Sequence, residues 1–141
     1  MSDVNGVRWG WLKFMYVYTI IGGGGTGLGI IFARGLVKSV TGWPGESRLL
    51  LGLAGSVFLA FGLLSIMGLR SPLKFAPVLL LQLAYKSIWL LGVALPSLIR
   101  GHAPTYLIVT AVVYVTYVIG DLIAIPFSYV FAREPKGQMP Y

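Results

Sequence analysis

Four apolar segments, each long enough to cross a membrane, constrain the fold of this chain more than any other feature. They occupy residues 14–33, 49–69, 75–99 and 104–132, and charged residues separate them. About 20 apolar residues in a helix cross the roughly 30 Å hydrocarbon core of a bilayer. Hydrophobic residues make up 57% of the 141 residues and charged residues only 11%, against roughly 25% charge in soluble domains. The sequence predicts an integral membrane protein.

Short connections between these segments predict an all-α fold, a four-helix bundle with antiparallel neighbours. Ser71-Pro72 and the Pro104 that follows Gly101 resemble helix starts, with proline in the first turn. We expect one membrane domain over residues 1–141, with helices at about 12–35, 48–69, 72–98 and 104–131 and a polar C-terminal tail at 132–141. The first segment is long, rich in glycine and without a clear cleavage site, which favours a retained helix over a signal peptide.

Loop charges predict the orientation, because cytoplasmic loops of membrane proteins carry an excess of Lys and Arg. In this topology one side of the membrane carries six such residues and the other carries four. The six are Arg8, Lys13, Arg70, Lys74, Arg133 and Lys136, and the four are Arg34, Lys38, Arg48 and Arg100. Both termini are therefore expected in the cytoplasm. The net charge of +7 is spread over both sides, which indicates contact with anionic membrane lipids and not with nucleic acid.

A glycine-rich run inside the first segment requires a close neighbour, since each glycine weakens a helix. Residues 22–29 read Gly-Gly-Gly-Gly-Thr-Gly-Leu-Gly. Small residues spaced four apart let two membrane helices approach at backbone distance. The candidates for such packing are Gly23 with Gly27, Gly25 with Gly29, and Gly55 and Gly62 in the second segment. Either this face packs on another helix or protein, or it forms a groove for a flat or chain-like lipophilic ligand.

Lys86 and Asp121 are the two charged residues that interrupt the apolar segments. Charged side chains at this depth are costly and usually face a helix bundle interior, a cavity or one another. Lys86 lies 13 residues after Leu73, about 20 Å along its helix, and Asp121 lies 10 residues before Phe131, about 15 Å from the same side. A lysine side chain spans that difference, so an ion pair between them is geometrically possible.

The faces around this pair carry further polar and aromatic side chains. Helical spacing places Gln82 and Trp89 beside Lys86, and Tyr114 and Tyr117 beside Asp121. Three interpretations remain open: a structural ion pair that fixes which helices meet, a polar cavity that exchanges a proton or holds an anionic or carbonyl headgroup, and a contact with another subunit. Gly120 and Pro126 predict a kink close to Asp121.

Several kinds of chemistry lack the residues they need. The chain has no cysteine, which excludes disulfides, thiolate catalysis and iron–sulfur ligation by cysteine. Its one histidine, His102, stands in a short loop without other metal-ligating residues near it. No serine or threonine has a histidine partner in the same segment, so a hydrolytic triad is not supported. We predict no metal site built by the protein and no catalytic residues, and the sequence names no cofactor.

The third and fourth segments carry a resemblance to a known kind of protein. The stretch from Ser71 through Gln82-Leu83-Ala84-Tyr85-Lys86-Ser87-Ile88-Trp89 to Pro96, and a last helix ending in Ile125-Pro126-Phe127-Ser128-Tyr129-Val130-Phe131, resemble small four-helix bacterial membrane proteins. The layout is similar to that of the DoxX-like group. The resemblance implies a multi-pass protein of the bacterial inner membrane and a role for the Lys86 face.

Three functions follow as hypotheses. The first is a non-catalytic accessory subunit that packs against a larger electron-transfer or photosynthetic membrane complex, or against copies of itself, through the glycine-rich first helix. The second is a binder or modifier of a lipophilic molecule, such as a quinone, isoprenoid or lipid, in a pocket around Lys86 and Asp121. The third is an oligomeric proton or ion pathway that uses the same residues as a relay.

Overall fold

The regular structure of this protein is helical throughout the part that is described. A computed structural model describes residues 7–41 and 48–132, and no strand occurs in these two ranges. The helices are α1 (Trp9–Phe32), α2 (Arg34–Thr41), α3 (Arg48–Arg70), α4 (Ala76–Ile99), α5 (Thr105–Ala124) and α6 (Phe127–Val130). By length and composition, α1, α3, α4 and α5 can each cross a membrane. The predicted multi-pass membrane protein is confirmed at this level, while the polar tail at 132–141 lies, apart from Ala132, outside the described residues.

The helix formed by the first apolar segment, α1, ends at Phe32, before the predicted helix boundary at residue 35. Ala33 leaves the helical conformation, with φ −140° and ψ 52°, and a separate helix, α2, begins at Arg34. The apolar side chains of Leu36 and Val40 in α2 are exposed, and the side chain of Lys38 is partly exposed. Short helices with one apolar and one charged face are typical of the membrane–water interface. The charged Arg34 therefore begins a separate helix with one apolar and one charged face, after α1 ends at Phe32.

The third spanning helix begins later than predicted. Residues 71–75 form turns, and α4 starts at Ala76 with Pro77 in its first turn. Proline is favoured at this place because it has no N–H to leave unpaired and its φ is already helical. The Pro72 carbonyl instead accepts a hydrogen bond of 2.6 Å from the Tyr16 hydroxyl of α1. The Ser71-Pro72 pair thus belongs to the connection, which α1 holds in place.

The last helix breaks where a kink is predicted. Ile125 is extended, with φ −68° and ψ 126°, so α5 ends at Ala124 and the short α6 follows Pro126. A residue before proline is driven out of the helical region by contact with the proline ring. Pro126 therefore terminates α5, and the predicted helix at 104–131 is two helices.

Two of the spanning helices contain a wider, π-helical turn. One covers Ile20–Gly24 in α1, and the other covers Leu90–Ala94 in α4. In α4 the turn precedes Pro96, which lacks the N–H that would bond to the Gly92 carbonyl and whose ring would press on it. In α1 the turn falls on the glycine run. Such turns are frequent at functional sites, and the α1 turn borders the cavity described below.

The first helix lies between two others. It contacts α3 along much of its length and α5 near its N-terminal half, while α4 packs mainly on α5. The apolar core formed between these helices consists of Leu12, Met15, Tyr16, Leu79, Tyr117, Ala124 and Ile125. The core thus lies toward the N-terminal part of α1 and the C-terminal part of α5.

The contact between α1 and α3 depends on glycine. A Cβ on Gly27 would lie 2.5 Å from the Leu59 backbone nitrogen and 2.7 Å from the Gly55 carbonyl oxygen, and a Cβ on Gly62 would lie 2.6 Å from the Gly24 Cα. Real side chains do not approach so closely, so the two backbones touch only because these residues have none. Gly24 was not among the predicted packing positions.

The other predicted packing glycines of α1 face three different surroundings. Gly23 faces the Phe58 carbonyl oxygen of α3, 3.5 Å from where its Cβ would be, and Gly29 faces Val37 of α2. Gly25 is exposed, and among the described residues nothing lies within 4 Å of a Cβ placed on it. Gly25 and Gly29 therefore do not contribute to the α1–α3 contact, because neither residue faces α3.

The same exchange at two glycines of α1 is expected to have opposite effects. Gly27→Ala should lower the free energy of unfolding by about 1–3 kcal/mol, because the added methyl group overlaps the α3 backbone. Gly25→Ala should raise it by about 0.5–1 kcal/mol, because alanine favours the helix and meets open space. Thermal unfolding of the two variants in detergent measures both. Equal shifts of the midpoint would contradict the packing.

Candidate functional site

Lys86 lies inside the protein and among aromatic rings. Its side chain is 4% exposed, and Nζ donates a hydrogen bond of 2.8 Å to the Tyr85 hydroxyl. Four rings surround the ammonium, and we call them the aromatic cage. Their centroids lie at these distances from Nζ: Tyr114 4.1 Å, Tyr117 4.3 Å, Tyr85 4.7 Å and Phe58 5.8 Å. Away from water, a cation over an aromatic face gains about 2 kcal/mol or more, so the cage offsets part of the cost of burying this charge.

Asp121 is fully buried and has a different partner. Its carboxylate oxygens accept hydrogen bonds of 3.1 and 3.4 Å from Nε2 of Gln82, on α4. The Gln82 side-chain oxygen in turn lies 3.3 Å from the Thr19 hydroxyl of α1, which also donates to the Met15 carbonyl at 2.8 Å. A chain of buried polar groups thus joins α1, α4 and α5.

The expected ion pair between Lys86 and Asp121 is not formed. Within the described ranges no hydrogen bond or ion pair joins the two side chains. The depths of Lys86 and Asp121 along their helices allow contact between the two side chains. Gln82, however, lies one helical turn before Lys86, and its amide reaches the Asp121 carboxylate. The two charges therefore share a region but are held separately, one by an amide and one by aromatic rings.

The other predicted site residues occupy two different places. Tyr114 and Tyr117 belong to the aromatic cage, but Trp89 lies behind it, with its ring edge-on to Tyr114 at a centroid distance of 5.1 Å. Sequence reasoning missed Phe58 of α3, because an isolated phenylalanine in an apolar helix gives no signal. Tyr85 also belongs to the cage, and it lies beside Lys86 on the face that helical spacing predicts.

A cavity of about 310 Å³ opens beside the ammonium of Lys86. It is partly open and mostly apolar, and each of the four long helices contributes to it. Its lining residues are Tyr18, Gly22, Gly23, Thr26, Phe58, Lys86, Val109, Thr110, Val113, Tyr114 and Tyr117. Val109 and Val113 are 49% and 40% exposed, and they mark the open side of the cavity on α5.

The glycine run forms one wall of this cavity. The Tyr117 hydroxyl occupies the place where a Cβ on Gly22 would be, and it donates a hydrogen bond of 3.1 Å to the Tyr18 carbonyl. The rings of Tyr18 and Tyr117 are stacked at 4.1 Å, with only 2° between their planes. The π-helical turn of α1 and Tyr117 of α5 are thus fitted to each other, because Gly22 has no side chain in the place of the hydroxyl.

The described residues provide no set of ligands for a metal ion. The part of the chain that is described contains no group of three histidine, cysteine, aspartate or glutamate residues placed to hold an ion. His102 lies exposed in the turn between α4 and α5. What the arrangement offers chemically is one buried ammonium, several tyrosine and threonine hydroxyls and a mostly apolar surface.

No protein-family model, curated protein or solved structure matches this chain. The resemblance to the DoxX-like group therefore stays a prediction.

Double-mutant cycles should distinguish the two relationships of Asp121. We expect a coupling energy of about 1.5–3 kcal/mol between Gln82→Leu and Asp121→Leu, because a hydrogen bond to a charged group joins these residues. The coupling between Lys86→Met and Asp121→Leu should be smaller, since no hydrogen bond joins that pair. Unfolding free energies in detergent give both values, and a larger coupling for Lys86 with Asp121 would contradict the geometry described.

Proposed function

We propose that this protein binds a lipophilic small molecule in the cavity beside Lys86. The observation that carries the proposal is a buried ammonium in the wall of a mostly apolar cavity that opens on the side of α5. Ligand sites have this composition, with apolar walls and a few placed polar groups, and volumes of about 300–1,000 Å³. The cavity is at the lower end of that range.

The bonds of Lys86 support binding over a purely structural role. The hydrogen bond of Lys86 goes to Tyr85 on its own helix, and only ring contacts of the aromatic cage join its ammonium to α3 and α5. Gln82 and Asp121 supply the hydrogen-bonded link between α4 and α5. A charge inside a membrane that is not needed for such a link is by default a functional residue.

We further propose that α1, α3, α4 and α5 form a four-helix bundle in the bacterial inner membrane, with antiparallel neighbours and both termini in the cytoplasm. The excess of Lys and Arg on one side supports this orientation. The contacts of α1 with α3 and α5, and of α4 with α5, are those that such a bundle requires.

The hypotheses of an accessory subunit and of an ion pathway stay predictions. The glycine face that was expected to dock a partner is in large part covered by α3 through Gly24 and Gly27. The relay hypothesis uses Asp121, which is bonded to Gln82 and does not line the cavity. No feature of the described residues favours either hypothesis over binding.

Filling the cavity tests the proposal. Val113 lines the cavity and Val112 does not, although both are neighbouring exposed residues of α5. Val113→Trp should place an indole in the open side of the cavity, whereas Val112→Trp adds the same group to the lipid-facing surface. Small molecules retained after mild-detergent purification are extracted and quantified by mass spectrometry.

We expect a compound present in about equimolar amount in the native protein and in Val112→Trp, and strongly reduced in Val113→Trp. Equal retention in both variants would contradict binding in this cavity. A native protein that retains nothing beyond bulk membrane lipid, at the same amount as in both variants, would contradict it as well. Circular dichroism of both variants controls for folding.

A further inference from the structure

We infer that the ligand presents a neutral hydrogen-bond acceptor to Lys86, the carbonyl oxygen of an aromatic ketone. This inference rests on the proposed function and names the chemistry of the molecule that would occupy the cavity. Three properties of the cavity lead to it: the hydrogen-bond donors that Lys86 leaves unused, its charge and the aromatic rings in its wall.

The ammonium of Lys86 leaves hydrogen-bond donors unused beside the cavity. It has three N–H groups and no acceptor, and Lys86 uses one of them for the Tyr85 hydroxyl. In the described part of the chain Nζ has no other hydrogen-bond acceptor. The hydroxyls of Thr26 and Tyr114, which also line the cavity, can both donate and accept. Because the ammonium can only donate, and a desolvated donor without a partner is costly, the group that completes its bonding is an acceptor.

The charge of the site favours a neutral ligand. Lys86 and Asp121 are the charged side chains inside the apolar segments, and together they carry no net charge. A carboxylate ligand would leave one net negative charge in a medium of low dielectric constant, and a cationic ligand would place a second positive charge beside Lys86. Uncompensated charge is strongly disfavoured in such a place. A carbonyl oxygen accepts hydrogen bonds from Lys86 without changing the balance.

The wall of the cavity fits an aromatic molecule. Four of the residues that line it carry aromatic rings: Tyr18, Phe58, Tyr114 and Tyr117. Aromatic rings associate in offset-stacked or edge-on arrangements, as Tyr18 with Tyr117 and Trp89 with Tyr114 already do. An apolar tail on the ligand would leave between Val109 and Val113 into the lipid. An aromatic head with a short hydrocarbon chain matches these surfaces.

Three matched probes test the inference on the full chain in lipid nanodiscs. The first is a 4-alkylbenzophenone, a neutral aryl ketone that also forms covalent links on illumination, so that labelled peptides locate it. The second is a diphenylmethane with the same alkyl chain, which lacks the carbonyl oxygen. The third is a 4-alkylbenzoate, which is anionic. The second and third are measured as competitors of labelling by the first, and unlabelled benzophenone is the reference competitor.

We expect the benzophenone to label α5 around Val109–Tyr117. The diphenylmethane should compete at least about 10-fold more weakly, because it lacks one hydrogen bond to a charged donor. The benzoate should also compete more weakly than the ketone. Lys86→Met should bring ketone and hydrocarbon to equal strength, whereas Lys74→Met, at an exposed lysine, should leave the difference unchanged.

The possible failures are distinguishable. If ketone and diphenylmethane compete equally on the native protein, or the benzoate competes best, the ligand class is wrong while binding in the cavity stands. If labelling is spread over the lipid-facing surface and is not reduced by Val113→Trp, the proposed function itself fails. The comparison of probes on the native protein decides the first question even if Lys86→Met does not fold.

Discussion

A charged group in a hydrocarbon environment has to find its partners within the protein, and this constraint organises the four long helices around Lys86 and Asp121. The two opposite charges do not meet. Asp121 receives both of its hydrogen bonds from Gln82, and the ammonium of Lys86 is held by the Tyr85 hydroxyl and the aromatic cage. Because the cage rings come from α3, α4 and α5 and the amide chain reaches Thr19 of α1, each long helix contributes to one polar centre.

The glycine run of α1 serves this centre on two faces. On one face, Gly24 and Gly27 allow the α3 backbone to touch α1, which brings Phe58 to the cavity. On another face, Gly22 leaves room for the Tyr117 hydroxyl, and both Gly22 and Gly23 line the cavity. Packing and a ligand groove were alternatives in the sequence, but they are compatible because successive glycines point to different sides of one helix.

The sequence predicts much of this arrangement and misses what depends on helix rotation. Segment length and charge give the four spans, and helical spacing brings Gln82, Lys86, Tyr114 and Tyr117 to one region. Spacing does not show in which direction a long side chain extends. It therefore allows an ion pair between Lys86 and Asp121, although the Gln82 amide binds the Asp121 carboxylate. It also places Trp89 beside Lys86, although the ring beside the ammonium is that of Tyr114. The break at Ile125 follows from Pro126, but proline alone does not distinguish a kink from a helix end.

The central claim is that Lys86 faces an occupied cavity and not Asp121. An experimental structure of the native protein, purified in mild detergent and transferred to lipid nanodiscs, tests it most directly. We predict non-protein density between the glycine wall and Tyr114, with an atom within hydrogen-bond distance of Lys86 Nζ and Gln82 still bonded to Asp121. A cavity closed by repacked helices, with Nζ bonded directly to the Asp121 carboxylate, would contradict the claim.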